Sequence, residues 1–120
     1  MRLIKVGAYL SGLAGLALLM GAGTATATTG SGCYQVVNVA YGDVLNVRAR
    51  PSASAAIVTR LPAQGGPIIS GGSSMANAEA RCIPAHRPLP SRWCPVSIYD
   101  GDASYSGWVK RRFLTPSDCP

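Results

Sequence analysis

The sequence is poor in the groups that acid–base and metal chemistry need. Its 120 residues hold one histidine, His86, and five acidic side chains: Asp43, Glu79, Asp100, Asp102 and Asp118. A hydrolase needs a nucleophile, a base within hydrogen-bond reach and a third group that orients the base. His86 lies in Pro84-Ala85-His86-Arg87-Pro88, a loop composition. Asp100-Gly101-Asp102 reads as a turn before it reads as a carboxylate pair for glycan cleavage. The roles of an active site are not filled, so a non-catalytic protein is expected. No C-x-x-C pair is present. Cys82-x3-His86-x7-Cys94 offers three ligand types but not the spacing of a zinc knuckle, so neither a metal nor any other cofactor is expected. Beyond residue 27 no window of 11 or more residues carries a helical period, and no internal repeat is seen. Long basic runs are missing as well. Only Lys110-Arg111-Arg112 is contiguous, which argues against a nucleic-acid partner.

What is present begins with a leader. Arg2 and Lys5 precede an uncharged apolar run from Val6 to Met20, then the small-residue tract Gly21–Ala27, with Ala25-Thr26-Ala27 at its end. That order is a secretory signal, and residues 1–27 are read as one. The apolar run is too short and too rich in glycine to span a bilayer, which takes about 20 apolar residues, so no stable membrane span is expected after cleavage. Residues 28–32 are read as a short linker and 33–119 as one domain, in a secreted or periplasmic setting. Without Arg2 and Lys5 the net charge falls from +6 to +4. The bland account of that charge is a solvated surface.

Cys33, Cys82, Cys94 and Cys119 all lie beyond the leader. Four cysteines in a small exported domain read as two disulfides, with three connectivities open. Cys33 and Cys119 bracket the domain, and Cys82 and Cys94 enclose a proline-rich loop, so Cys33–Cys119 and Cys82–Cys94 are favoured. Loops of these two lengths correspond to ~4–5 and ~3 kcal/mol in the chain-entropy picture. A core drawn from so few residues is marginal without such staples.

The remaining signals are short strands. Cys33–Ala40, Leu45–Arg48, Ile57–Leu61, Pro67–Ser70, Trp93–Tyr99 and Gly107–Lys110 are β-branched, aromatic or alternating, and Gly, Pro and Ser separate them. Phe113-Leu114 closes the set. Pro95 lacks an N–H and argues for an edge or strand-start position. Ser73–Ala80 reads as a loop or at most a turn of helix. Leu45 and Val47 would face the core, with Asn46 and Arg48 on the other side. Strands of this kind with nothing else give an all-β fold, a small barrel or sandwich.

Leu45-Asn46-Val47-Arg48, then Pro51-Ser52, Ile57-Val58, Leu61-Pro62, Trp93-x-x-Val96, Gly107-Trp108-Val109 and Phe113-Leu114 together resemble the bacterial SH3 (SH3b) domain across Tyr34–Leu114. The resemblance implies an SH3-like barrel of five to six short strands. It also implies a ligand groove lined by aromatic residues and edged by the long loop that follows Arg48. Groove candidates are Tyr41, Trp93, Tyr99, Tyr105 and Trp108, with Arg48 and Arg50 at the edge. Two features depart from the family pattern. Arg50 stands where glycine is frequent before Pro-Ser, and the segment 65–92 is longer than the usual hairpin. An arginine fork suits a carboxylate, although Arg48 pairing with Asp43 is the structural alternative. The implied function is a binding module for cell-wall peptide or glycopeptide. The alternative is an envelope protein–protein interaction module that uses the long 65–92 loop.

Overall fold

The computed structural model describes residues 30–120; the expected leader and its Ala25–Ala27 pattern lie outside the described residues. Seven strands follow: β1 (Cys33–Val36), β2 (Val44–Arg48), β3 (Ile57–Pro62), β4 (Ile68–Ser70), β5 (Trp93–Asp100), β6 (Ala103–Lys110) and β7 (Leu114–Ser117). They form one antiparallel sheet in the order β3-β2-β6-β5-β4-β1-β7. The fold is all-β, as expected, with one strand more than the sequence pattern indicated. The extra strand is β7, of which only the Phe113-Leu114 start was visible, because Thr115-Pro116-Ser117 has no apolar alternation. Its pairing with β1 along Cys33–Val36 gives it strand geometry instead.

Every strand contributes to one core. Tyr34, Val47, Leu61, Ile69, Ile98, Val109 and Leu114, one from each strand, are all at most 4% exposed and belong to a single cluster. A flat sheet cannot bring seven strands to one core, so the sheet curls on itself. A cavity of about 340 Å³, lined by Tyr34, Val36, Leu61 and residues 62–67, lies between β3 at one edge of the sheet and β1, next to the other edge. Within β2 the burial follows the alternation of the sequence: Leu45 and Val47 are buried, while Asn46 and Arg48 face out. Gly107 belongs to the same packing. A Cβ there would stand 2.6 Å from both the Arg48 carbonyl oxygen and Val47 Cγ1, so only glycine lets β6 come this close to β2.

Both favoured disulfides are formed. Cys33–Cys119 joins the chain ends with Cα atoms 5.2 Å apart, and Cys82–Cys94 ties the long segment to β5 at 4.1 Å. Two disulfides suit an oxidising compartment. Among the described residues no helix is long and apolar enough to cross a membrane. Gly30–Gly32 are tied to the domain: the Gly30 carbonyl accepts from Met75 N (3.0 Å) and the Gly32 carbonyl from Gly71 N (2.8 Å).

The 65–92 segment is partly structural. It supplies β4, the six-residue helix α1 (Met75–Ala80) and a 3₁₀ turn at Leu89–Ser91. Ser74 caps α1 by accepting from Asn77 N, and Met75 and Ala78 are fully buried. So short a helix is held by packing rather than by its own propensity, which is why no helical period announces it. Pro95 sits inside β5, yet it meets no missing partner. Trp93 is bridged to Ile83 and Ser97 is paired with Ser70 of β4. Pro95 falls between them, so its nitrogen faces a local gap in the ladder.

Candidate functional site

The outer face of the sheet gathers aromatic and cationic side chains. Residues two apart on a strand share a face, so Trp93 and Pro95 on β5, Trp108 and Lys110 on β6, and Asn46 and Arg48 on β2 all point away from the core. The register brings them together: Arg48 pairs with Trp108, Trp108 with Pro95, and Lys110 with Trp93. Beside them β6 ends in a 3₁₀ turn, Arg111–Phe113, which swings Arg112 and Phe113 toward the same side. The result is a cleft of about 370 Å³ lined by Arg48, Trp93, Lys110, Arg112 and Phe113, with Val44, Leu45 and Asn46 of β2.

Three cations border this cleft and no carboxylate lines it. The Lys110 ammonium lies 5.4 Å from the Trp93 ring centre and donates to the Ser91 carbonyl (3.1 Å). Arg112 lies 5.9 Å from the Phe113 ring. Partial loss of water, with Arg112 and then Arg87 nearby, holds Lys110 below the ordinary lysine range. Arg48 donates from Nη1 to the Ala55 carbonyl (3.1 Å), which pins the loop after β2 and leaves the rest of its fork free. It does not pair with Asp43, whose carboxylate accepts from the adjacent Val44 amide at 2.8 Å. On the cleft wall, Asn46 Oδ1 is buried without a hydrogen-bond partner.

Of the seven groove candidates, the cleft gathers Arg48 and Trp93, with Trp108 immediately beside Arg48. The others lie elsewhere. Tyr41 is 88% exposed, next to Gly42 in the turn before β2. Arg50 is exposed in the loop after β2 and does not line the cleft. Tyr99 shares the outer face but sits near the β5–β6 turn, opposite Ile68 and Ser104. Tyr105 packs against the core. Being an odd number of residues from Trp108, it must face the other way. His86 is exposed. The sulfurs of Cys82 and Cys94 are joined to each other, so they are not available as zinc ligands.

The residues missed were Asn46, Lys110, Arg112 and Phe113. Counting outward from Trp108 would have found Lys110. The turn that delivers Arg112 and Phe113 has no period to read. Arg111, between Lys110 and Arg112, goes the other way. Its Nη2 donates to Glu79 Oε2 at 2.8 Å, its Nη1 to the Leu114 carbonyl at 2.6 Å, and its guanidinium lies 5.4 Å from the buried Tyr34 ring. Burial raises the Tyr34 hydroxyl above its ordinary value, while the charge of Arg111 pulls it down.

No family model, no curated protein and no solved structure matches this chain.

Proposed function

We propose that this is a non-catalytic binding module of the bacterial cell envelope, SH3b-like in kind, whose outer-face cleft takes a carboxylate-bearing peptide or glycopeptide of the cell wall. One observation carries the reading: Arg48, Lys110 and Arg112 surround Trp93 and Phe113 in a cleft with no carboxylate. Like charges held together without a counterion raise the free energy of the empty site, and an anionic ligand relieves it. The aromatic faces add apolar contact and cation–π order. Support for the SH3b likeness comes from the Leu45–Arg48 hairpin strand, the close approach that Gly107-Trp108-Val109 makes to it, and the β1–β7 pairing that brings the two ends of the domain together. Secretion to the envelope follows from the leader pattern and agrees with the two disulfides.

The rival reading, a protein-interaction module built on the 65–92 loop, has less to work with. That segment gives Met75, Ala78 and Cys82 to the core, so much of it is committed to the fold. The test is sedimentation with purified peptidoglycan at low salt, where screening is least. Wild type should co-sediment, and the double variant Lys110→Ala/Arg112→Ala should bind at least tenfold more weakly. Absence of wild-type retention, or equal retention of the double variant, would overturn the proposal.

A further inference from the structure

A second cleft, of about 220 Å³, lies on the same outer face beyond Trp108 and is lined by Arg81, Pro95, Ser97, Ser106 and Trp108. Cross-strand pairing sets it beside the first. Ser97 pairs with Ser106, Pro95 with Trp108, and Trp108 with Arg48, which already borders the carboxylate cleft. We propose that the two clefts form one site and that its ligand is an acidic glycan chain lying along β5 and β6. This rests on the reading of the first cleft as a carboxylate site.

Four features select a glycan over a peptide. The floor is the face of the β5–β6 pair, where main-chain N–H and C=O groups lie in the plane of the sheet, so a chain resting on it meets side chains rather than backbone. What the face offers instead is a half-buried indole beside a proline ring, with the Ser97 and Ser106 hydroxyls next to them. A pyranose ring presents an apolar C–H face to the first pair and ring hydroxyls to the second. Cations stand at both ends: Arg81 in the second cleft, with Nη1 held by the Gly71 carbonyl at 2.6 Å, and Lys110 and Arg112 in the first. No carboxylate lines either cleft, so acid groups on separate sugars of one chain meet positive charge at each end. The distance also fits a chain. From Ser106 to Lys110 the strand advances about 13 Å at roughly 3.3 Å per residue, more than a single sugar covers.

The test titrates isotope-labelled protein at low salt with three probes, followed by NMR. They are a tetrasaccharide alternating N-acetylglucosamine and N-acetylmuramic acid, its carboxyl-reduced form, and the peptide Ala-Glu-Ala-Glu. The acidic tetrasaccharide should shift the indole N–H signals of both Trp93 and Trp108. Carboxyl reduction should weaken it at least tenfold. Ser106→Asp, a change at an exposed position that leaves the fold intact, should weaken it at least fivefold, and Trp108→Ala should do at least as much. The peptide should move Trp93 alone and ignore Ser106→Asp. If the tetrasaccharide binds Ser106→Asp unchanged, or if the peptide binds as tightly and moves Trp108, the glycan proposal falls while the carboxylate cleft stands. If no carboxylate probe moves Trp93 or Lys110, both readings fall together.

Discussion

Lys110 and Arg112 lie either side of Arg111 in the chain, and the fold treats them in opposite ways. Arg111 spends its guanidinium inside the structure, on Glu79, on the Leu114 carbonyl and against the Tyr34 ring, with 13% of its side chain exposed. Lys110 and Arg112 have no carboxylate partner among the described residues and border the cleft with Trp93 and Phe113. The same kind of charge is therefore an internal brace in one place and, in the proposed function, a recognition group in the other. What separates them is the 3₁₀ turn at Arg111–Phe113, which rotates consecutive side chains to different sides of the sheet. Composition counts three equivalent cations, and geometry divides them by position and partner.

That division can be broken from either side. The largest effect should come from Arg111→Met. It leaves the Glu79 side chain, only 14% exposed, without its counterion, and removing one partner from a pair withdrawn from water is costly because the other charge is stranded. A loss of about 2–3 kcal/mol in denaturant unfolding is expected. Binding of an acidic ligand by the molecules that remain folded should be unchanged. Lys110→Ala and Arg112→Ala should show the reverse: stability within about 0.5 kcal/mol of wild type, and roughly tenfold weaker binding for each, the value of one charge-assisted contact. Isothermal titration at two salt concentrations would read both, since this binding should weaken as salt rises. Should Arg111→Met lose binding while Lys110→Ala keeps it, the two roles have been assigned the wrong way round.

A smaller effect sharpens the braced side. Tyr34 Oη is buried without a hydrogen-bond partner, and burial raises its pKa in the folded protein. The unfolded chain therefore gives up this proton first. The stabilising contribution is complete below the unfolded value of about 10 and is lost as pH rises through the higher folded value. Tyr34→Phe removes the titration and the unmet hydroxyl while keeping the ring beneath Arg111. It should be neutral to about 1 kcal/mol more stable at pH 7 and should flatten the alkaline decline in melting temperature. An alkaline decline as steep as wild type's would show that Tyr34 does not carry it. The smallest effect is on the cleft side. Because partial loss of water, with Arg112 and Arg87 nearby, holds Lys110 below the ordinary lysine range, and anion binding needs its protonated form, binding should fade with rising pH sooner than an isolated surface lysine would allow. Lys110→Arg, which stays charged, should keep binding across that range.

The same contrast shows what the sequence could and could not convey. Strand faces were legible wherever alternation is strict: Leu45 and Val47 went inward and Asn46 and Arg48 outward. The disulfide pairing followed from where the cysteines fall in the chain. Trp93 and Arg48 were found as cleft residues, with Trp108 at their side. Tyr41 and Tyr99 were drawn in by residue type alone, and nothing local reveals that one is in a turn and the other near the far end of the sheet. Tyr105 could have been placed by counting, since its odd offset from Trp108 sends it to the core. Arg50 stood out against the family pattern, yet the loop leaves it exposed away from the cleft. The partition of Lys110, Arg111 and Arg112 was out of reach, because it depends on a turn set by contacts with Glu79 and Leu114, distant or non-periodic in the chain. Helix α1 was hidden for a similar reason, its stability coming from burial of Met75 and Ala78 rather than from a repeating pattern.

The most direct test is an NMR titration of the wild-type protein with a purified wall fragment carrying a free carboxylate, at low salt, following backbone and arginine side-chain signals. The account predicts shifts at Arg48, Trp93, Lys110, Arg112 and Phe113, with the Arg111 guanidinium and the helix α1 signals unmoved. Shifts centred on Arg111 or on residues 65–92, or no shift at saturating fragment, would contradict it.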